Sequence, residues 1–164
     1  VPFVIRWPGH IPAGSVCQNM ACLSDLFATF AQISGASYGD DAGEDSISLL
    51  PMLEGDSQPV RSTMVHHSAD GSFSIRKGPW KLELTRASGG MRPPCTDESL
   101  PPYQLYRLDG DATEQHNLYG SHPQEERELL STLAEYIRNG RSTPGAPQEN
   151  IPCKKWPGLD WMKS

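Results

Sequence analysis

Apolar and polar positions repeat with two different periods along this chain, and the change of period divides it. Residues 1–7 (Val-Pro-Phe-Val-Ile-Arg-Trp) form a mostly apolar run that enters a Pro8-Gly9 turn. Such a run reads as a buried strand with sheet neighbours on both sides. Over 23–34 the period becomes helical: Leu26, Phe27, Phe30 and Ile33 stand at i, i+1, i+4 and i+7. They define one helical face. Ser24 is placed to cap this helix, Asp25 suits its positive end and Gly35 closes it. Residues 47–53 allow a short helical turn at most, interrupted by Pro51 and closed by Gly55.

From residue 62 to 85 the period is two. The pattern predicts strands over 63–67 and 72–76 joined at Asp70-Gly71, then a turn at Lys77-Gly78. Trp80, Leu82 and Leu84 follow on one side, with Lys81, Glu83 and Thr85 on the other, so one face of this sheet meets water. A fourth strand is predicted over 103–108, beyond a long loop at 86–102 that contains Ser88-Gly89-Gly90. The last helix is predicted over 123–139. Pro123 stands at its start, Leu129, Leu130, Leu133, Tyr136 and Ile137 form its stripe, and Gly140 lies just past its end. The tail after residue 141 has no period, and Trp156 and Trp161 are its candidates for anchoring. The fold class is therefore α+β: a small antiparallel sheet of about four strands with a packed C-terminal helix.

Composition narrows the picture. The chain has 164 residues, of which 37% are hydrophobic, with 15 Gly and 15 Pro. That supply suits a small core leaning on further structure, and with the apolar opening it reads as a C-terminal piece of a larger α/β protein. The net charge of -6 and the scatter of both signs exclude the concentrated cationic face that nucleic-acid binding needs. No apolar stretch approaches the length of a membrane span. Cys17, Cys22, Cys95 and Cys153 allow three full pairings, with no C-x-x-C among them. Disulfides in an oxidising compartment and free buried thiols are both open, and metal binding by these thiols is disfavoured.

The pieces in order resemble the C-terminal part of a sulfatase of the arylsulfatase-like branch of the alkaline-phosphatase superfamily. Val1 to Gly9 followed by Pro12-Ala13-Gly14-Ser15 is similar to the strand after that family's "EGG-x-R" stretch. Ser24-Asp25-Leu26-Phe27-Ala28-Thr29-Phe30 with Gly35-Ala36 resembles its "DLFPT…GA" helix, with Ala28 in place of Pro. Ser48 to Gly55 resembles "sLlP-x-L-x-G", and His66-His67-Ser68 through Trp80-Lys81-Leu82 resembles an "HHS…G-x-F-x-IR-x-G-x-WKL" hairpin. Leu105-Tyr106-Arg107-Leu108 through Glu114 to Leu118 is similar to "LYdL-x-x-D-x-x-E-x-x-NL", and residues 140–145 (Gly-Arg-Ser-Thr-Pro-Gly) to a common bacterial ending.

The resemblance implies the C-terminal subdomain of an alkaline-phosphatase-like α/β sulfatase. Residues 1–60 would end the main domain, 61–145 would form the antiparallel subdomain with its helix, and 146–164 an irregular tail. Sulfatases hydrolyse sulfuric esters with a formylglycine made from Cys or Ser in a Cys/Ser-x-Pro/Ala-x-Arg motif, beside a calcium ion. Both cofactors are expected in an N-terminal domain, the implied partner of this chain. No Cys here begins such a motif, and we set aside Ser57-Gln58-Pro59-Val60-Arg61 and Ser142-Thr143-Pro144 on spacing. The chain alone is thus expected to be inactive, with no catalytic or metal residues of its own. Its expected contribution is one wall of the pocket for a sulfate ester, glycan or aryl, in a periplasmic or extracellular enzyme.

The candidate substrate-binding residues are His66, His67, Ser68, Ser88, Gly89 and Gly90. Consecutive histidines on a strand face opposite ways, so at most one of His66 and His67 can serve a pocket from there. An imidazole donates to sulfate or sugar oxygens, and Ser88-Gly89-Gly90 offers backbone N–H groups to an anion. The plainer readings are a histidine satisfied within the sheet and a flexible glycine loop. Two other functions stand beside the pocket wall. One is a self-sufficient carbohydrate- or partner-binding module; the other is the same region of a phosphodiesterase or phosphonate hydrolase.

Overall fold

The computed structural model describes residues 3–88, 97–150, 159, 161 and 162. The chain forms two compact units, one of Val1–Ser62 with Thr143–Ala146 and one of Thr63–Ser142 with Pro147–Ser164.

In the first unit a 3₁₀ turn, Leu23–Asp25, leads into helix α1, Leu26–Ser34, and a short helix α2 follows at Leu50–Leu53. Gly35 adopts a left-handed conformation past the end of α1, as the sequence predicts. The start of the helix differs from the expectation. Asp25, not Ser24, takes the organising place: its Oδ2 accepts the Cys22 N–H at 2.8 Å, and its Oδ1 accepts the Ile47 N–H at 3.0 Å. The same Oδ1 accepts a hydrogen bond from Arg61 Nη2, which also donates to the Asp45 carbonyl at 3.0 Å. Thr29 Oγ1 donates to the Asp25 carbonyl at 2.6 Å and accepts the Leu49 N–H at 2.9 Å. Asp25 is wholly buried, so each of these partners replaces a lost water.

The helix turns its small and polar side inward. Ala28 and Thr29 are buried, whereas Leu23, Phe27, Phe30 and Ile33 are exposed. The face that the periodicity assigns to the core is therefore bare in this chain. The opening run also differs: residues 3–7 belong to no strand, and Val4 is 90% exposed. A strand exists only through hydrogen-bonded neighbours, and the described residues supply none for it. Residues 40–46 fold over the helix instead. Ser46 Oγ accepts the Ala28 N–H at 2.9 Å, and Gly43 lies under the Phe27 ring with φ +69°. A Cβ there would stand 2.5 Å from Phe27 Cδ1, so glycine is required twice over. Residues 143–146 pin this loop: Thr143 Oγ1 donates to the Glu44 carbonyl, and the Ala146 N–H donates to Asp40 Oδ2.

The second unit is a four-stranded antiparallel meander, β1 Thr63–His67, β2 Phe73–Lys77, β3 Trp80–Glu83 and β4 Gln104–Arg107, in the order 1-2-3-4. The register aligns Val65, Ile75, Leu82 and Leu105 in one row across the sheet. Ile75, Leu82 and Leu105 pack with Leu129 and Leu133 of helix α3, Pro123–Asn139, to make the core. Thr63 Oγ1 meets Tyr136 OH at 2.6 Å, and Lys77 pairs with Glu128, both tying sheet to helix. Trp161 packs against the same core, while Trp156 lies outside the described residues.

The "LYdL-x-x-D-x-x-E-x-x-NL" run has a structural explanation. Asn117 Oδ1 accepts the Leu105 and Tyr119 N–H groups, and the Leu118 N–H donates to the Leu105 carbonyl, so the outer edge of β4 is covered. Asp111 accepts the Gln115 and His116 N–H groups, and these bonds hold its carboxyl below the usual range. Glu114 sits in the left-handed region at φ 57° and pairs with Lys81 at 2.6 Å. Gly140 ends α3 at φ +62°, and the returning chain satisfies its last carbonyls. Gln148 N–H donates to Asn139 O at 2.8 Å and Asn150 Nδ2 donates to Ile137 O at 2.7 Å.

Candidate functional site

In an antiparallel meander the end of β1, the start of β2, the end of β3 and the start of β4 all lie at one end of the sheet. That end carries His66, His67 and Ser68 from the first hairpin and residues 85–88 from the exit of β3. Two strands separate them, a span of about 10 Å. The candidates come from segments twenty residues apart in sequence, and topology alone brings them to one place. Gly89 and Gly90 lie outside the described residues.

His66 pairs with Ser74 across the sheet and lies on the face opposite the core row, the same face as Arg76, Lys81, Glu83, Gln104 and Tyr106. His67 lies on the core side. Its ring meets Phe73 edge-on with centroids 6.2 Å apart, and Nδ1 reaches the Ser68 carbonyl at 3.3 Å. Both imidazoles are exposed. The two histidines thus face opposite ways, as their adjacency in a regular strand requires.

Ser68 is a turn residue. Its N–H donates to the Ser72 carbonyl at 2.9 Å, its hydroxyl donates to Asp70, and Asp70 also accepts the Ser72 N–H. Slight burial opposes ionisation of Asp70, yet the hydrogen bonds from Ser68 and Ser72 outweigh it and keep its carboxyl below the ordinary value. Asp70 is a residue that the sequence marked only as part of a turn. The signal for its role is the Ser-x-Asp-x-Ser spacing over 68–72, which lets one carboxylate hold both flanks of the loop.

Ser88 is exposed, and the segment leading to it is held firmly. Leu84 N–H donates to the Phe73 carbonyl at 2.8 Å, and Gln104 Nε2 donates to the Thr85 and Ala87 carbonyls at 3.1 and 2.9 Å. On the same face of the sheet as His66, Lys81 lies between Glu83 and Glu114, each at 2.6 Å. Burial would lower the lysine's pKa, but the two carboxylates reverse this and raise it, so the ammonium is fixed as a cation. This polar face can present donors and acceptors to a hydroxylated ligand. At the opposite end of the sheet a hollow of about 440 Å³ is lined by Arg107, Asp109, Gly110, Asp111, His116 and Leu118. Its acids are already engaged, Asp109 by Arg107 and Asp111 by the loop backbone.

The sequence reading needs one correction. Ser57-Gln58-Pro59-Val60-Arg61 does have Ser, Pro and Arg at the spacing of the formylglycine motif. Its surroundings do not suit that chemistry. Ser57 is exposed, its carbonyl accepts Asn19 Nδ2, and Arg61 is buried against Asp25. No group of three or more His, Cys, Asp or Glu side chains is gathered for a metal among the described residues. Cys17 and Cys22 are free thiols among the described residues; Cys95 and Cys153 lie outside them. No described helix is long and apolar enough to cross a membrane.

No protein-family model matches the chain. Known proteins do. An N-acetylgalactosamine-6-O-sulfatase of Bacteroides thetaiotaomicron is 30% identical over 137 residues, covering 81% of this chain and 26% of its own length. The mouse N-acetylgalactosamine-6-sulfatase is 25% identical over 171 residues, covering 92% of this chain and 32% of its own. Among solved structures, a protein in complex with its substrate D-glucosamine-2-N,6-O-disulfate superposes with a TM-score of 0.65 at 21% identity. That match covers 87% of this chain and 30% of the other, and it speaks for the fold. The chain spans about a quarter to a third of the length of the relatives it matches.

Proposed function

Because this chain is homologous to sulfatases and corresponds to the C-terminal part of their alkaline-phosphatase-like fold, we propose that it forms one wall of a sulfatase substrate pocket. The observation that carries the reading is the meeting of the first hairpin and the exit of β3 at one end of the sheet. In this reading His66 and Ser88 offer hydrogen bonds to sugar or sulfate oxygens, and Ser68, fixed by Asp70, shapes the rim. His67, turned toward Phe73, buttresses the hairpin. The nucleophile and calcium belong to the catalytic domain of the full protein. The substrate is a sulfate ester on a glycan, favoured over a small aryl sulfate because both relatives above bear the names of aminosugar sulfatases. The enzyme works in the periplasm or outside the cell.

The bare stripe on α1 supports the same reading. Leu23, Phe27, Phe30 and Ile33 are between 40% and 66% exposed, and a run of large side chains of this kind marks a surface that another part of the protein covers. A self-sufficient binding module has no need of it. The test is hydrolysis of an N-acetylgalactosamine-6-sulfate oligosaccharide by this chain alone and by a full-length sulfatase that contains it. The full-length protein is expected to turn over and the chain alone to be inert; turnover by the chain alone overturns the assignment.

A further inference from the structure

Gln104 opens β4, and its side chain lies on the polar face of the sheet, opposite Glu83 in register. The β3–β4 ladder ends at this pair, yet the chain beyond β3 stays attached. Gln104 Nε2 donates to the Thr85 carbonyl at 3.1 Å and the Ala87 carbonyl at 2.9 Å, while Oε1 accepts Tyr106 OH at 2.6 Å. The orientation of the amide follows from chemistry: two backbone carbonyls can only accept, so the NH₂ group must face them. A side chain thus supplies the bonds that a further strand residue would have made. Tyr106 is almost wholly buried, so its hydroxyl holds the amide from a fixed point. Across the loop, Arg86 Nη1 donates to the Leu100 carbonyl at 2.6 Å.

We propose that Gln104 is a positioning residue for substrate binding, acting through the backbone of residues 85–88 to set the place of Ser88. This inference rests on the pocket-wall reading above. Both amide hydrogens and one lone pair of Oε1 are engaged in this network, so the role of Gln104 is to hold the backbone. Slack in the 85–88 segment moves Ser88 and weakens binding of a large substrate, while the chemistry carried elsewhere is untouched.

The test uses the full-length sulfatase with Gln104→Leu, Gln104→Glu and Tyr106→Phe. Gln104→Glu keeps an acceptor for Tyr106 but loses both donors, so it separates the anchor from mere packing. Two readouts are needed: backbone hydrogen exchange over residues 85–88, and KM and kcat on an N-acetylgalactosamine-6-sulfate oligosaccharide. Both Gln104 variants are expected to exchange about 10-fold faster over 85–88 and to raise KM about 5-fold, with kcat moving less than twofold; these are the scale of lost hydrogen bonds. Tyr106→Phe keeps the donors and shows the same changes at smaller size, and it carries the test if a Gln104 variant fails to fold. Unchanged exchange in a folded Gln104→Leu overturns the anchor. Faster exchange with an unchanged KM overturns the positioning role. A wild-type enzyme that cleaves no sulfate ester counts against the pocket-wall reading instead, and the exchange measurement still decides the anchor.

Discussion

Asp25 and Leu82 are both fully buried, and they hold their surroundings by opposite means. Around Asp25 the first unit is organised by hydrogen bonds and an ion pair: one carboxylate takes Cys22, Ile47 and Arg61, and Thr29 links the Asp25 backbone carbonyl to Leu49. Among its described residues the only fully buried large apolar side chain is Leu49, and Phe27, Phe30 and Ile33 of α1 are exposed. Around Leu82 the second unit is a layered apolar core of three strands' side chains against two leucines of a helix. The second kind of organisation is self-contained, because burying apolar surface needs only the surface itself. The first fixes a backbone path without burying much, and it leaves the large apolar side chains of α1 exposed.

The strongest way to break this contrast is to remove the carboxylate. Asp25→Leu leaves Arg61 buried without its counter-charge and strips two backbone donors of their acceptor. The expected loss is about 3–5 kcal/mol, confined to the first unit. Hydrogen exchange should rise across α1 and residues 46–49 while β1–β4 stay protected. Adding Arg61→Met to Asp25→Leu should recover most of the loss, since an absent pair costs less than half of one. Equal loosening of the sheet would show that the polar network and the apolar core are not separate supports.

The reciprocal change is Leu82→Ala, which opens a cavity where Ile75, Leu105, Leu129 and Leu133 meet. The expected cost is about 3 kcal/mol, near the middle of the range for buried leucines. Here β2, β3, β4 and α3 should lose protection and the amides around Asp25 should keep theirs. Protection lost first at Asp25 would reverse the comparison.

How much of this was legible in the sequence differs between the same two regions. The last helix appears over the span that its Pro123 start, leucine stripe and Gly140 end predict, and all four strands lie within a residue or two of expectation. There the period, the turns and the packing agree, because the partner of each apolar row is in the same chain. In the first unit the period of α1 is read correctly, but the sequence does not say which side of the helix the rest of the unit packs against. A hydrophobic stripe marks a face without saying what it meets, and residues 3–7 form no strand because the described residues supply no hydrogen-bonded neighbour for one. Asp25 and Gln104 were hidden for another cause. Their partners are backbone groups distant in sequence, and single-residue chemistry carries no mark of such partners.

The smallest effect tests whether polar anchoring in the second unit is only peripheral. Tyr103 OH donates to Glu126 Oε2 at 3.0 Å, and the Gly120 N–H donates to Glu126 Oε1 at 2.6 Å, so one buried carboxylate fastens the start of β4 to the start of α3. Burial, followed by the hydrogen bond to Glu126 and the carboxylate's charge, pushes the Tyr103 phenol from its ordinary 10.0 up to about 12. The folded chain therefore holds this proton more tightly than the unfolded chain does. The stabilisation is whole below about pH 10, and it fades as pH rises through about 12. Because Tyr103 remains partly accessible, the gain is modest and solvent-screened. Ultraviolet titration should show a late phenolate near 12 that disappears in Tyr103→Phe and moves toward 10 in Glu126→Gln. Tyr106 also titrates late, through burial and the charges of Glu83 and Glu114, and should not move in either variant. If Glu126→Gln leaves the Tyr103 step in place, burial alone sets it, and the second unit depends on its apolar core even more completely than its geometry implies.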